Sequence, residues 1–167
     1  MALKIATART QTNFEIAWDR VRSLKPLILK HRLEGDVLRH LPEAIAKAFI
    51  ELDLYRVQVP EDLGGLGLNP MESFDLFAEV ASYDGSVGWN FCIGGGSISM
   101  VACLPIEKLK RVFSTPDCGI AGSIYPPGKA LAVEGGYKFT GRWMWASGVH
   151  NAKWVNGTAI VYDGDKV

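Results

Sequence analysis

Excess charge of either sign is missing from this 167-residue chain: Lys+Arg and Asp+Glu both number 18. Nucleic-acid backbones and anionic lipid surfaces are held through a net basic field, so neither is an expected partner. Cysteine is scarce. Cys92, Cys103 and Cys118 are odd in number and show no CxxC or Cys/His ligand spacing, which argues against a disulfide framework or a metal site and fits a reducing cytoplasm. An export signal is lacking too, because the first 20 residues turn polar after five. The sequon Asn156-Gly157-Thr158 therefore reads as a chance match.

One run, Gly85 to Ile106, carries no charge and reaches the ~20 residues of a spanning helix. It is rich in Gly, Ser and Asn and has no Lys/Arg cluster at either end, so it reads as a buried helix of a soluble core. Ready-made catalytic motifs are absent. There is no GxSxG and no HExxH, and His31, His40 and His150 lie far apart in sequence. The triplet Gly94-Gly95-Gly96 follows a helical run rather than a strand and lacks the spacing of a phosphate loop; close helix packing is the better account.

What is present is a 48% hydrophobic composition, enough for one domain or one and part of a second. From Phe14 to about Phe113 the period is helical. Residues 14–33 read as an amphipathic helix interrupted at Pro26. Pro42 opens a second helix that buries Ile45, Phe49 and Leu52. The stretch from Tyr55 to Pro70 is a Gly/Pro-rich connection, ending where Asn69 caps a third helix with Met71, Phe74, Phe77, Ala78 and Ala81 on its inner side. Asp84 or Ser86 caps the uncharged fourth, and a short fifth follows Pro105.

After Pro116 the pattern changes to short β-branched and aromatic runs: 119–125, 130–133, 137–145 and 154–162, with a two-glycine turn at Gly135-Gly136. The expected fold class is α+β: an all-α domain over 1–115, then an incomplete antiparallel β-barrel domain over 116–167. The chain stops at Asp163-Gly164-Asp165-Lys166-Val167, inside what reads as another turn.

Chemistry concentrates in the segment Gly141-Arg142-Trp143-Met144-Trp145-Ala146-Ser147-Gly148-Val149-His150-Asn151-Ala152-Lys153-Trp154. Tryptophans in a strand can lie flat on an aromatic cofactor while their neighbours present backbone donors. On the plainer reading Trp143, Trp145 and Trp154 alternate between core faces and Ser147 ends a strand.

This segment resembles the acyl-CoA dehydrogenase strand Gly-x-Lys-x-Trp-Ile-Thr-Asn, whose Trp and Thr contact the flavin ring. Trp145 and Ser147 occupy those two positions. The loop Ala121-Gly122-Ser123-Ile124-Tyr125-Pro126-Pro127-Gly128 falls where that family has its first flavin-contacting strand but lacks Thr-Glu-Pro. AGSIYPPGKA, GGYKFTGRWMWASG, HNAKWV and DGSVGWNF together look like the two-component flavin-dependent monooxygenases sharing this fold, from Trp18 onward.

The resemblance implies several things. Reduced flavin, FAD or FMN, would arrive from a separate flavin reductase and form a C4a-hydroperoxide with dioxygen to oxygenate a small aromatic substrate. Cofactor contacts would come from Trp145, Ala146, Ser147, Gly122 and Ser123, and Trp89 and Asn90 would stand on the substrate side. His150 reads as a turn residue. The protein would be a cytoplasmic homo-oligomer, tetrameric as in the family. The family's C-terminal helical bundle and its acid/base residues would lie beyond Val167, so no catalytic residue is assigned. An acyl-CoA dehydrogenase and a non-catalytic binding module are the alternatives.

Overall fold

A computed structural model describes residues 10–162. The first residues of the chain and the turn expected at 163–167 lie outside this range.

Helix α1 (Asn13–Ser23) begins at a capping box in which Thr12 and Glu15 exchange side-chain and backbone hydrogen bonds. Helix α2 (Lys25–Leu38) follows after the single residue Leu24. Pro26 therefore lies in the first turn of a new helix, where its missing N–H costs nothing. Its C-terminus is closed by Arg39 in the left-handed region, at φ 60°.

Helix α3 (Glu43–Glu51) buries Ile45 and Phe49 as its pattern demands. Two 3₁₀ turns, Leu54–Arg56 and Glu61–Leu63, fill the Gly/Pro-rich connection. Helix α4 (Pro70–Tyr83) starts where Asn69 Oδ1 accepts from the N–H groups of Met71 and Glu72. Asp84 ends α4 and caps α5 (Gly85–Gly95), its carboxylate accepting from Val87 N–H at 2.9 Å. Helices α6 (Ile98–Val101) and α7 (Ile106–Val112) complete the layer.

The inner face of α4 differs from the expected one. Ser73, Leu76, Val80 and Tyr83 are buried, while Met71 and Phe74 are 71% and 63% exposed. The helix carries two apolar stripes, and periodicity alone cannot choose between them. Phe77 lies between the two and sets its ring edge-on to Phe91, 4.9 Å away. Phe91 also meets Phe49, so these rings tie α3, α4 and α5 into one core.

The charge-free run is divided between α5 and α6. No helix among the described residues is long and apolar enough to cross a membrane. Its glycines serve packing: a Cβ on Gly88 would strike Ala81 of α4, and one on Gly94 would strike the Tyr55 ring.

The β unit is a three-stranded sheet of order β2-β1-β3, built from β1 (Ile120–Val133), β2 (Gly136–Thr140) and β3 (Trp154–Tyr162). β1 and β2 form the expected hairpin, with Gly135 at φ 77° in its turn. β3, however, runs parallel to β1, so the sheet is mixed rather than antiparallel. The strand expected over 137–145 stops at Thr140, and residues 141–153 cross to the far side of β1. β2 and β3 run in opposite directions, so this segment only has to step past β1 to bring β3 alongside it.

Trp143 anchors the crossing. Its ring stacks on Phe139 at 5.0 Å, its Nε1 donates to the Thr158 carbonyl, and Gly128, Gly141 and Gly157 leave room for it.

Candidate active site

A cavity of about 670 Å³ opens where the end of α2, the first turns of α5 and the 145–151 segment meet. Its size is that of a small-molecule site. The cap at Asp84 fixes the start of α5 and so presents Trp89 and Asn90 to this space. Opposite them the chain reverses at Trp145, whose left-handed backbone (φ 60°) throws its indole outward to 86% exposure. A non-glycine residue holds this conformation at a cost of ~1–2 kcal/mol, and such strain collects at functional sites. Gly148, at φ 79°, then starts the 3₁₀ turn Val149–Asn151.

Across the cavity Trp89 Nε1 donates to Ser147 Oγ at 2.9 Å. An indole N–H can only donate, so the hydroxyl accepts here and keeps its own proton for another acceptor. Asn90 is held by its own helix, its Nδ2 donating to the Ser86 carbonyl. Beneath lies a narrow crevice lined by Tyr55, Asn90 and Ser147 among others. Burial, then the neighbouring Cys118, pushes the Tyr55 phenol up to about 12, so it is a neutral group at ordinary pH.

Trp145, Ala146, Ser147, Trp89 and Asn90 therefore line one cavity. Gly122 and Ser123 do not line it. Gly122 pairs with Asn156 across β1 and β3, and a Cβ there would collide with Asn156 Oδ1. Ser123 Oγ donates to the Tyr125 carbonyl, just before the register shift between Ser123 and Gly128.

Sequence reasoning missed Asp36, Arg39 and His40, which form the cavity's third side. Sequence separation also hid a pairing: His40 and His150 stack with centroids 4.9 Å apart. His40 Nδ1 lies 2.9 Å from the Leu41 carbonyl, which can only accept, so Nδ1 carries the proton. Among the described residues no cluster of three His, Cys, Asp or Glu could hold a metal.

A partly polar cavity lined by two tryptophans and a hydroxyl with a proton to donate suits an aromatic ring with acceptor atoms on its edge. The helical layer followed by a small mixed sheet is a fold of the acyl-CoA dehydrogenase type. The model of the acyl-CoA dehydrogenase N-terminal domain matches residues 21–111, and the chain belongs to that family.

Its relatives narrow the comparison. It is 34% identical over 135 residues to an indole-3-acetate monooxygenase of Pseudomonas putida, covering 80% of this chain and 34% of that protein. It is 31% identical over 150 residues to the flavin-dependent monooxygenase oxygenase subunit HsaA of Rhodococcus jostii, covering 89% and 39%. Among solved structures, the 3-HSA hydroxylase from Rhodococcus sp. RHA1 superposes with a TM-score of 0.81 at 29% identity over 88% of this chain and 38% of that one. XiaF from Streptomyces sp., solved with FADH2 and glycerol, gives 0.85 at 25% over 92% and 39%. The chain thus spans less than two fifths of the length of these relatives.

Proposed function

We propose that this chain is the helical and β portion of the oxygenase component of a two-component flavin-dependent monooxygenase acting on a small aromatic substrate. The observation that carries the reading is the Trp89–Ser147 hydrogen bond, which closes one wall of a cavity that Trp145, Ala146 and Asn90 also line. Relatives named as oxygenases of indole-3-acetate, resorcinol and p-hydroxyphenylacetate support an aromatic substrate.

In this reading reduced FAD or FMN, supplied by a flavin reductase, provides the activation of dioxygen when bound. The protein's part is to bind, orient and exclude water. The Trp145 indole covers one face of the ring. Ser147 donates its hydroxyl proton to the ring edge, and the N–H of Ala146 is a second donor nearby. Trp89 and Asn90 form the wall against which the substrate ring lies. Gly122 and Ser123, on β1 outside this cavity, would meet only a part of the flavin that extends beyond it. A cytoplasmic homo-oligomer, tetrameric as in the family, completes the proposal.

Titration of the chain with reduced flavin under anaerobic conditions, followed by tryptophan fluorescence, tests it. Quenching that Ser147→Ala weakens supports the assignment. Oxygen uptake with a reductase and a phenol or indole, set against dye reduction with an acyl-CoA, separates oxygenase from dehydrogenase. No binding of any flavin would leave a non-catalytic module.

A further inference from the structure

The crevice beneath the cavity has a volume of about 10 Å³, which admits a single water molecule and nothing larger. Its polar side chains come from three separate stretches of chain: Tyr55 from the first 3₁₀ turn, Asn90 from α5, and Ser147 with Asn151 from the crossover. Tyr55 is only 4% exposed, and its hydroxyl takes part in no hydrogen bond among the described residues. Its ring is wedged between α5 and the start of β1, where Gly94 and Gly119 leave room for it, so the hydroxyl is held in one place. Asn151 Nδ2 is likewise buried and has no partner among the described residues. Buried donors are almost always satisfied, by ordered water where the space allows.

Donors and acceptors around the crevice balance. The Tyr55 phenol, kept neutral by its burial, and Asn151 Nδ2 each bring a proton. Asn90 commits its Nδ2 to the Ser86 carbonyl and turns its Oδ1 towards Gly148, where an added Cβ would meet it at 3.2 Å, so this oxygen accepts. Ser147 Oγ has two lone pairs, and Trp89 Nε1 takes one of them. The Gly119 carbonyl beside them already receives the N–H groups of Lys153 and Trp154. The side chains thus offer two donors and two acceptors. One water, which accepts twice and donates twice, is their complement.

We propose that the crevice is a one-water site, in which Tyr55 and Asn151 donate to a water that in turn donates to Asn90 Oδ1 and Ser147 Oγ. With Trp89 on one lone pair of Ser147 and the water on the other, the hydroxyl has only its proton left, and that proton is turned to the cavity side. Tyr55 and Asn151 are therefore positioning residues, acting through the water on the donor that meets the ligand. The water site stands on the geometry alone, and its effect on flavin rests on the reading of the cavity as a flavin site.

Two measurements on the full chain test this. A crystal structure fine enough to show ordered solvent should place one water within hydrogen-bond distance of Tyr55 Oη, Asn151 Nδ2, Asn90 Oδ1 and Ser147 Oγ. A dry crevice, or direct bonding of Tyr55 or Asn151 to Ser147, overturns the proposal. Anaerobic titration with reduced FMN, followed by tryptophan fluorescence, reads the consequence. Tyr55→Phe, which keeps the ring in its slot, and Asn151→Ala, on a half-exposed turn outside the core, should each weaken binding on the order of threefold. In a Ser147→Ala background neither should weaken it further. Losses that persist undiminished in that background come from packing and overturn the positioning role, as does unchanged affinity in both single variants. A wild-type chain that binds no flavin while the water is in place removes the flavin reading and leaves the water site supported.

Discussion

Trp89 and Ser147, 58 residues apart, are joined by an indole N–H donating to a hydroxyl at 2.9 Å. The bond couples the helical layer to the crossover before β3, and it orients the serine proton. Trp89→Phe keeps a smaller aromatic ring and removes the donor, so the serine hydroxyl turns freely. Reduced-flavin affinity should fall about fivefold, for a loss of about 1 kcal/mol. Ser147→Ala should do the same, and the double variant should add little. Fluorescence titration of the three variants checks it; fully additive losses would show that the two residues act separately.

Trp145 offers a way to part binding from stability. Trp145→Gly relieves the left-handed backbone at φ 60° and removes an indole that is already in water. The variant should be as stable as the wild type or up to ~1 kcal/mol more so. Flavin affinity should nonetheless drop at least tenfold. Thermal melts and titration on the same preparation decide it; a parallel fall in melting temperature would make Trp145 a packing residue.

The thiols should separate by rate. Cys103 is exposed, Cys92 is half-buried and Cys118 is buried, with burial pushing its thiol up to about 11. Only the thiolate attacks disulfides, so Cys103 should react with Ellman's reagent first and Cys118 only on unfolding. Stopped-flow absorbance of the native chain, compared with the chain in denaturant, gives the count for each phase.

Asp117 should contribute an acid-sensitive clasp. It accepts from Thr115 and Lys153, and these bonds hold its carboxyl below the usual carboxylate range. A depressed folded value adds stability that is present above the ordinary carboxylate pKa and is lost as the pH falls through the folded one. Because both side chains face solvent, Asp117→Asn should cost about 0.5 kcal/mol or less at neutral pH. The gap between the melting temperatures of the two proteins should close as the pH falls below the ordinary carboxylate range.

Local chemistry was legible and tertiary choice was not. Asn69 and Asp84 announce their helix starts because a short polar side chain bonds the backbone beside it. Gly135 announces its turn for a similar local reason. The buried stripe of α4 could not be read, since Met71 and Phe74 look as apolar as Leu76 and Val80. Nor could the parallel register of β3, which depends on how far residues 141–153 travel. At the cavity, Trp145 and Ser147 were visible through a resemblance, whereas Arg39 was silent: it fills the left-handed position after a helix where glycine would have given the signal.

The contact of Gly88 with Ala81 has a mechanical result. With no side chain at 88 and only a methyl at 81, α4 and α5 have almost no clearance to roll on one another. Trp89 is the next residue, so its azimuth about the α5 axis is set by a glycine that faces away from the cavity. Gly88→Val would act like a shim, forcing the helices apart and swinging the indole off Ser147. The aim of the Trp89 donor is thus decided behind the wall that it belongs to.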